Sequence, residues 1–254
     1  MRGSLPKADS SAAIRTSQLS DWASEPDSHC ETNTSTLPRM RRREEESIKQ
    51  IRRGVRRFRG VIFPKMRSLY ESLAEKQKPH TLFITCGDSR IEPSLLTGTE
   101  PGQIFVERTP GNIIPPYDET ASVGVSASIE YAVAELGVKH IIVCGHSACG
   151  AMKALLDPNA LDELPATRRW LQYAHSALEQ LNRSDSPDNE PNRPDRLAQL
   201  NVIEQIAHLH SHPAVQQRFT QDVVQIHGWF YEIHTGTVQV FDPKSASSHW
   251  PAAG

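Results

Sequence analysis

A chain of 254 residues has room for one large domain or two small ones, and its 37% apolar content supports a buried core. A net charge of −2 gives no overall bias toward nucleic acid, and no nucleic-acid partner is expected. Four cysteines are too few for a disulfide framework, no apolar run reaches the length of a transmembrane span, and the N-terminus lacks a secretory-type apolar segment. The expectation is a cytoplasmic protein with reduced thiols.

In chain order, residues 1–38 are rich in Ser, Thr, Asp and Pro and carry no periodicity, which predicts a disordered tail containing Cys30. Residues 39–59 turn basic, and Ile48, Ile51, Val55 and Phe58 recur at helical spacing. This predicts a basic amphipathic arm that docks by its apolar stripe and leaves its charges solvated. A second helical segment spans 69–74. Short β-rich apolar runs follow at 81–85, 103–107 and 139–144, with a small-residue helix at 121–136 closed by Gly137. Strands alternating with helices predict an α/β fold with a mainly parallel central sheet and flanking helices. Residues 182–195 read as a polar loop and 197–208 as a helix. Segments 222–233 and 237–241 read as a C-terminal antiparallel hairpin turning near Gly236 and extending one sheet edge. The expected organisation is a basic or disordered extension over 1–46, a folded domain over 47–242 and a tail over 243–254.

The chemistry gathers at two strand ends. Cys86 closes the first apolar run, and His146-Ser147-Ala148-Cys149 follows the third. In an open parallel sheet both loops lie at the carboxyl edge, so two thiolates and one imidazole converge on one point. That is three ligands for a tetrahedral ion such as zinc, with the fourth corner left for water, which is the pattern of a catalytic site. Gly145 and Gly150 are expected to give the second loop its freedom, and a helix starting at Ala151 to favour thiolate at Cys149. Two thiolates cancel the charge of Zn²⁺ and weaken it as a Lewis acid, so a nearby carboxylate is useful. Asp88 either orients the water, held ionised by Arg90, or takes the fourth corner itself in a closed form. Cys144 reads as buried packing. His208, His210 and His212 end a helix before Pro213 and are not expected to share a metal, and His227 and His234 read as structural or solvent-facing.

Cys86-Gly87-Asp88-Ser89-Arg90 and His146-Ser147-Ala148-Cys149-Gly150 closely resemble the paired signatures of the β-class carbonic anhydrases. The resemblance runs through Gly111-Asn112-Ile113-Ile114-Pro115, Ile129-Glu130-Tyr131 and Ile226-His227-Gly228-Trp229. It covers roughly residues 47–242. It implies reversible hydration of carbon dioxide to bicarbonate by way of zinc-bound hydroxide, in a homodimer or larger homo-oligomer. It further implies Cys86, His146 and Cys149 as ligands, Asp88 and Arg90 as a catalytic dyad, and Gln77, Phe105 and Tyr131 as substrate-binding residues. Departures from the family pattern are Gly87 for the common Ser and Thr109-Pro110 for an Asn and a small apolar residue. Phe83 stands where some members carry the Trp of an inhibitory bicarbonate pocket, beside Arg108 and Tyr231, so that pocket and sigmoidal kinetics are not expected. Two rival readings keep the core but change its use: hydrolysis of carbon disulfide or carbonyl sulfide, and a non-catalytic scaffold.

Overall fold

Charge and apolar spacing at the start of the described chain produce helix, as expected. The computed structural model describes residues 39–118, 123–157, 159–183 and 191–241. The predicted tails, with Cys30, lie outside those residues. Contacts divide the chain into two units, Met1–Glu75 and Lys76–Gly254. In the first, α1 (Arg39–Arg57) runs into a π-helical turn (Phe58–Ile62), and α2 spans Arg67–Glu75. The rings of Phe58, Phe63 and Tyr70 pack together with centroids 5.5 to 6.2 Å apart. The stripe Ile48, Ile51 and Val55 forms on α1 and continues to Phe58 at the start of the π turn, and these residues are 38 to 62% exposed.

In the second unit, the central apolar runs become strands that are buried on both faces. β1 (Thr81–Cys86) is buried at every position. It is joined by β2 (Ile104–Thr109), β3 (His140–His146), β4 (Gln225–Tyr231) and β5 (Val238–Phe241). Among the described residues the sheet order is β2-β1-β3-β4-β5, parallel throughout except for the antiparallel β4–β5 edge. The hairpin turns through Gly236 at φ +78°, as its sequence predicts.

The helices of this unit are α3 (Pro93–Thr97), α4 (Val123–Glu130), α5 (Gly150–Leu156), α6 (Pro165–Leu171), α7 (His175–Arg183), α8 (Arg193–Leu209) and α9 (Pro213–Thr220). The predicted helix over 121–136 is α4 plus a wider π turn from Tyr131 to Glu135. α8 begins at Arg193, inside the stretch read as loop, because Pro194 sits in the first turn, where its missing N–H costs nothing. One face of α8 buries Leu197, Ala198, Val202, Ile206 and Leu209 against the sheet. The same face carries Asn201 and Gln205, both fully buried. They are not stranded polar groups. Gln205 receives the Ile114 N–H (2.8 Å) and donates to Asn201 (2.9 Å), and Asn201 donates to the Gly111 carbonyl (2.9 Å). The helix thus holds the irregular segment after β2 by its own hydrogen bonds.

Candidate metal centre

β1 and β3 end side by side. Cys86 is the last residue of β1, and His146 is the last residue of β3 rather than part of the following loop. By alternation Cys86 shares a face with Leu82 and Ile84, and His146 one with Ile142 and Cys144. At the end of the sheet that separation lapses. The donor atoms of Cys86, His146 and Cys149 all lie within 4.8 Å of one another, and all three residues are buried.

Two features of the second loop differ from expectation. Gly145 supplies no unusual dihedral; it is there because β3 and α8 touch. A Cβ on it would sit 2.7 Å from Val202 Cγ2 and 3.3 Å from the Ala198 carbonyl oxygen. The left-handed residue is Ala148, at φ +55°. That conformation costs about 1–2 kcal/mol for a residue with a Cβ. It is held from both sides: Asp195 accepts the Ala148 N–H at 2.7 Å, and Arg90 donates to the Ala148 carbonyl at 3.2 Å. Asp195 is a site-shaping residue that the sequence reading missed, since nothing local links it to a position 47 residues earlier.

Each donor atom is prepared. His146 Nδ1 lies 2.9 Å from the Ser147 carbonyl oxygen, so Nδ1 carries the proton and Nε2 presents its lone pair. Nε2 is buried with no hydrogen-bond partner. A buried acceptor left unpartnered costs about 1–3 kcal/mol, which a metal ion at this point removes. The Cys149 thiol hydrogen-bonds to Cys86, holding Cys86 down at about 4 despite burial and pushing Cys149 up. Cys86 Sγ also receives the Gly111 N–H at 3.3 Å, and the Cys149 sulfur faces the N–H groups of Ala151 and Met152 at the start of α5. This donor set of two thiolates and one neutral imidazole fits zinc. Cys144, in contrast, is fully buried beneath the sheet and pushed up to about 12 by burial, as suits a packing residue.

Asp88 stands beside this group, its Oδ2 3.9 Å from His146 Nε2. Arg90 grips it bidentately, Nε to Oδ1 at 2.9 Å and Nη2 to Oδ2 at 2.7 Å, and the Arg90 N–H adds a third bond at 2.9 Å. These bonds hold the carboxyl well below the usual carboxylate range.

Gln77, Phe105 and Tyr131 are elsewhere in the same chain. Phe105 is in register with Leu82, four residues back from Cys86, or about 13 Å along the strand. Gln77 is exposed and precedes β1 at its opposite end. Phe105 and Tyr131 touch, with centroids 6.1 Å apart, and line an open depression of about 790 Å³ with Ser128 and Glu130.

His208, His210, His212 and His227 are engaged in packing and hydrogen bonds away from this cluster. His208 and His212 bond the carbonyls of Ile114 and Pro115, and His210 packs edge-on to Phe219. His227 meets His140 at 3.3 Å. Phe83 is buried edge-on to Trp229, and Arg108 is committed to the Ile91 carbonyl and to Glu92.

The carbonic anhydrase family model matches residues 81–238. The chain belongs to the β-carbonic anhydrase family. It is 45% identical over 198 residues to a carbonic anhydrase of Pseudomonas aeruginosa, covering 78% of this chain and 89% of that protein. The solved β-carbonic anhydrase CcaA superimposes with a TM-score of 0.75 at 37% identity, over 78% of this chain and 88% of that one. A tetrameric β-carbonic anhydrase of Sordaria macrospora gives 0.62 at 30% identity, over 80% and 97%. These relatives bear out the α/β reading and the carbonic anhydrase reading, and they favour neither the sulfur-gas hydrolase nor the scaffold.

Proposed function

We propose that this carbonic anhydrase hydrates carbon dioxide reversibly to bicarbonate and a proton, on zinc held by Cys86, His146 and Cys149. The buried, unpartnered Nε2 of His146 within 4.8 Å of two cysteine sulfurs is the observation that carries the metal assignment. Bound zinc supplies Lewis-acid activation of water. Cys86 and Cys149 offset its charge, and the Ser147 carbonyl keeps His146 in the ligating tautomer. Asp88 stays anionic because Arg90 occupies both its oxygens. Each oxygen keeps a further lone pair, and Asp88 uses one to accept a hydrogen bond from the attacking water, aiming its nucleophilic lone pair at the substrate.

The substrate pocket is completed by a second copy of the chain, whose Gln77, Phe105 and Tyr131 face the metal centre. Their distance from Cys86 in one chain supports this, as does Tyr131 at 45% exposure beside an uncovered depression. An apolar wall suits a small uncharged gas, and the Gln77 amide can donate to an oxygen of the forming bicarbonate. Residues 47–242 form the catalytic domain in this reading. Reduced thiolate ligands fit a reducing compartment, which supports a cytoplasmic location. Among the described residues no helix is long and apolar enough to cross a membrane.

Co-expression of Cys86→Ala chains with Gln77→Ala chains tests both halves of the reading, with zinc and carbon dioxide hydration measured together. Each variant alone is expected to be weak. Random mixing regains about a quarter of wild-type turnover, because half the dimers carry one intact composite site. Absence of recovery in purified heterodimers refutes the shared site. Wild-type protein with stoichiometric zinc and no hydration refutes the activity.

A further inference from the structure

The metal centre is linked to a residue far from it in sequence by a chain of two hydrogen bonds through a single peptide group. Trp170, on α6, donates its indole N–H to the Pro110 carbonyl at 2.9 Å. The N–H of that same peptide, Gly111 N, donates to Cys86 Sγ at 3.3 Å. We infer that Trp170 is a positioning residue for the metal centre: through the Pro110–Gly111 peptide it sets how strongly the Cys86 sulfur donates to the metal. The inference rests on Cys86 being a ligand.

The physics runs in one direction. The carbonyl and N–H of an amide share one conjugated system, so a bond accepted at oxygen polarises the N–H and strengthens it as a donor, by roughly a tenth to a third. A stronger donor draws electron density from the sulfur it faces. Removing the indole N–H therefore returns density to Cys86.

The peptide plane is locked, so the effect is not lost to reorientation. Pro110 fixes its own φ, which stiffens the chain entering the peptide. On the exit side, Gly111 sits at φ +72°, and any Cβ would lie 3.1 Å from Ala151 Cβ and Met152 Cε. Asn201 holds the Gly111 carbonyl at 2.9 Å, and Thr109 Oγ1 bonds the Ile113 carbonyl at 2.9 Å to close the turn. Within this frame Trp170 has two separable jobs. Its half-buried ring packs against the apolar core and meets Tyr173 edge-on at 6.1 Å, while its N–H addresses the peptide.

The test removes the N–H and keeps the ring. Trp170→Phe is one variant. The second places 3-benzothienylalanine at position 170, which preserves the shape of the indole and replaces N–H by sulfur. Full-length protein is loaded with cobalt(II) and its sulfur-to-metal charge-transfer band recorded; zinc-loaded protein supplies the Gly111 amide proton shift by NMR. Both variants are expected to bind one metal per chain. Both should also move the charge-transfer band to longer wavelength and the Gly111 proton upfield. A shift in Trp170→Phe that the benzothienyl protein lacks overturns the inference in favour of packing. Unmoved signals in both overturn it while leaving the function intact. A wild-type cobalt protein without a thiolate band overturns it together with the ligand assignment.

Discussion

Replacing Gly145 by alanine tests whether contact between β3 and α8 positions His146. The added methyl lies 2.7 Å from Val202 Cγ2, against an ordinary carbon–carbon contact of about 3.5–4.0 Å. Roughly 1 Å must therefore be found. Val202 is fully buried and cannot swing into solvent, and the Ala198 carbonyl at 3.3 Å closes the neighbouring direction with backbone. Overpacking of this kind costs about 1–3 kcal/mol, and the backbone obstacle puts Gly145→Ala near the upper end. For an ordered region of this size each kcal/mol moves the melting temperature by about 2–4 °C, so the expected drop is about 4–12 °C. Val202→Ala alone removes two buried methyl groups' worth of contact, about 1.6 kcal/mol plus a cavity term. In the double variant the new methyl occupies the vacated space, so the combined cost falls short of the sum by about 1–2 kcal/mol. Thermal and urea unfolding of the four zinc-loaded proteins give the cycle. Strict additivity, or a Gly145→Ala protein as stable as wild type, refutes the close-approach argument.

Asp88→Asn keeps the side chain's shape but turns one lone-pair acceptor into a donor facing Arg90. It is expected to retain zinc and lose about 10²–10⁴-fold in turnover, whereas Cys86→Ala loses zinc as well; turnover within tenfold of wild type in Asp88→Asn counts against its role. Stability should also fall as the solution is acidified. Burial holds His208 and His212 below the usual histidine value. Their contribution is thus full above about pH 6.5 and is lost as pH falls, because the unfolded chain takes protons that the native rings refuse. Glu204 acts in the opposite sense, since burial raises its carboxyl, so the histidine effect is read between about pH 8 and pH 6. Urea midpoints that stay level or rise on acidification over that range, or a His208→Gln protein with an unchanged slope, contradict the assignment.

The strands and the convergence of Cys86, His146 and Cys149 were legible because their signals are local. Buried parallel strands need continuous apolar residues, and Cys86 and His146 each end such a run. The dyad of Asp88 and Arg90 lies two residues apart, within reach of its own turn. Element boundaries were less secure: Pro194 belongs to a helix start instead of a loop, and His146 to a strand.

What the sequence alone determined is the order of β-rich and helical segments, the chemistry at the two strand ends and the family to which they belong. The tertiary structure decided which backbone geometry serves that chemistry. Ala148, not a glycine, takes the left-handed turn because Asp195 and Arg90 hold its peptide from other parts of the fold. Gly145 is required by the nearness of α8, which no pattern around it encodes. Trp170 reaches a peptide 60 residues earlier. Gln77 and Phe105 stand away from the Cys86–His146–Cys149 cluster of the same chain, because a strand carries its beginning and its end to opposite edges of the sheet. Short-range periodicity reports burial and direction, whereas hydrogen bonds and steric limits between distant segments exist only once the chain has folded.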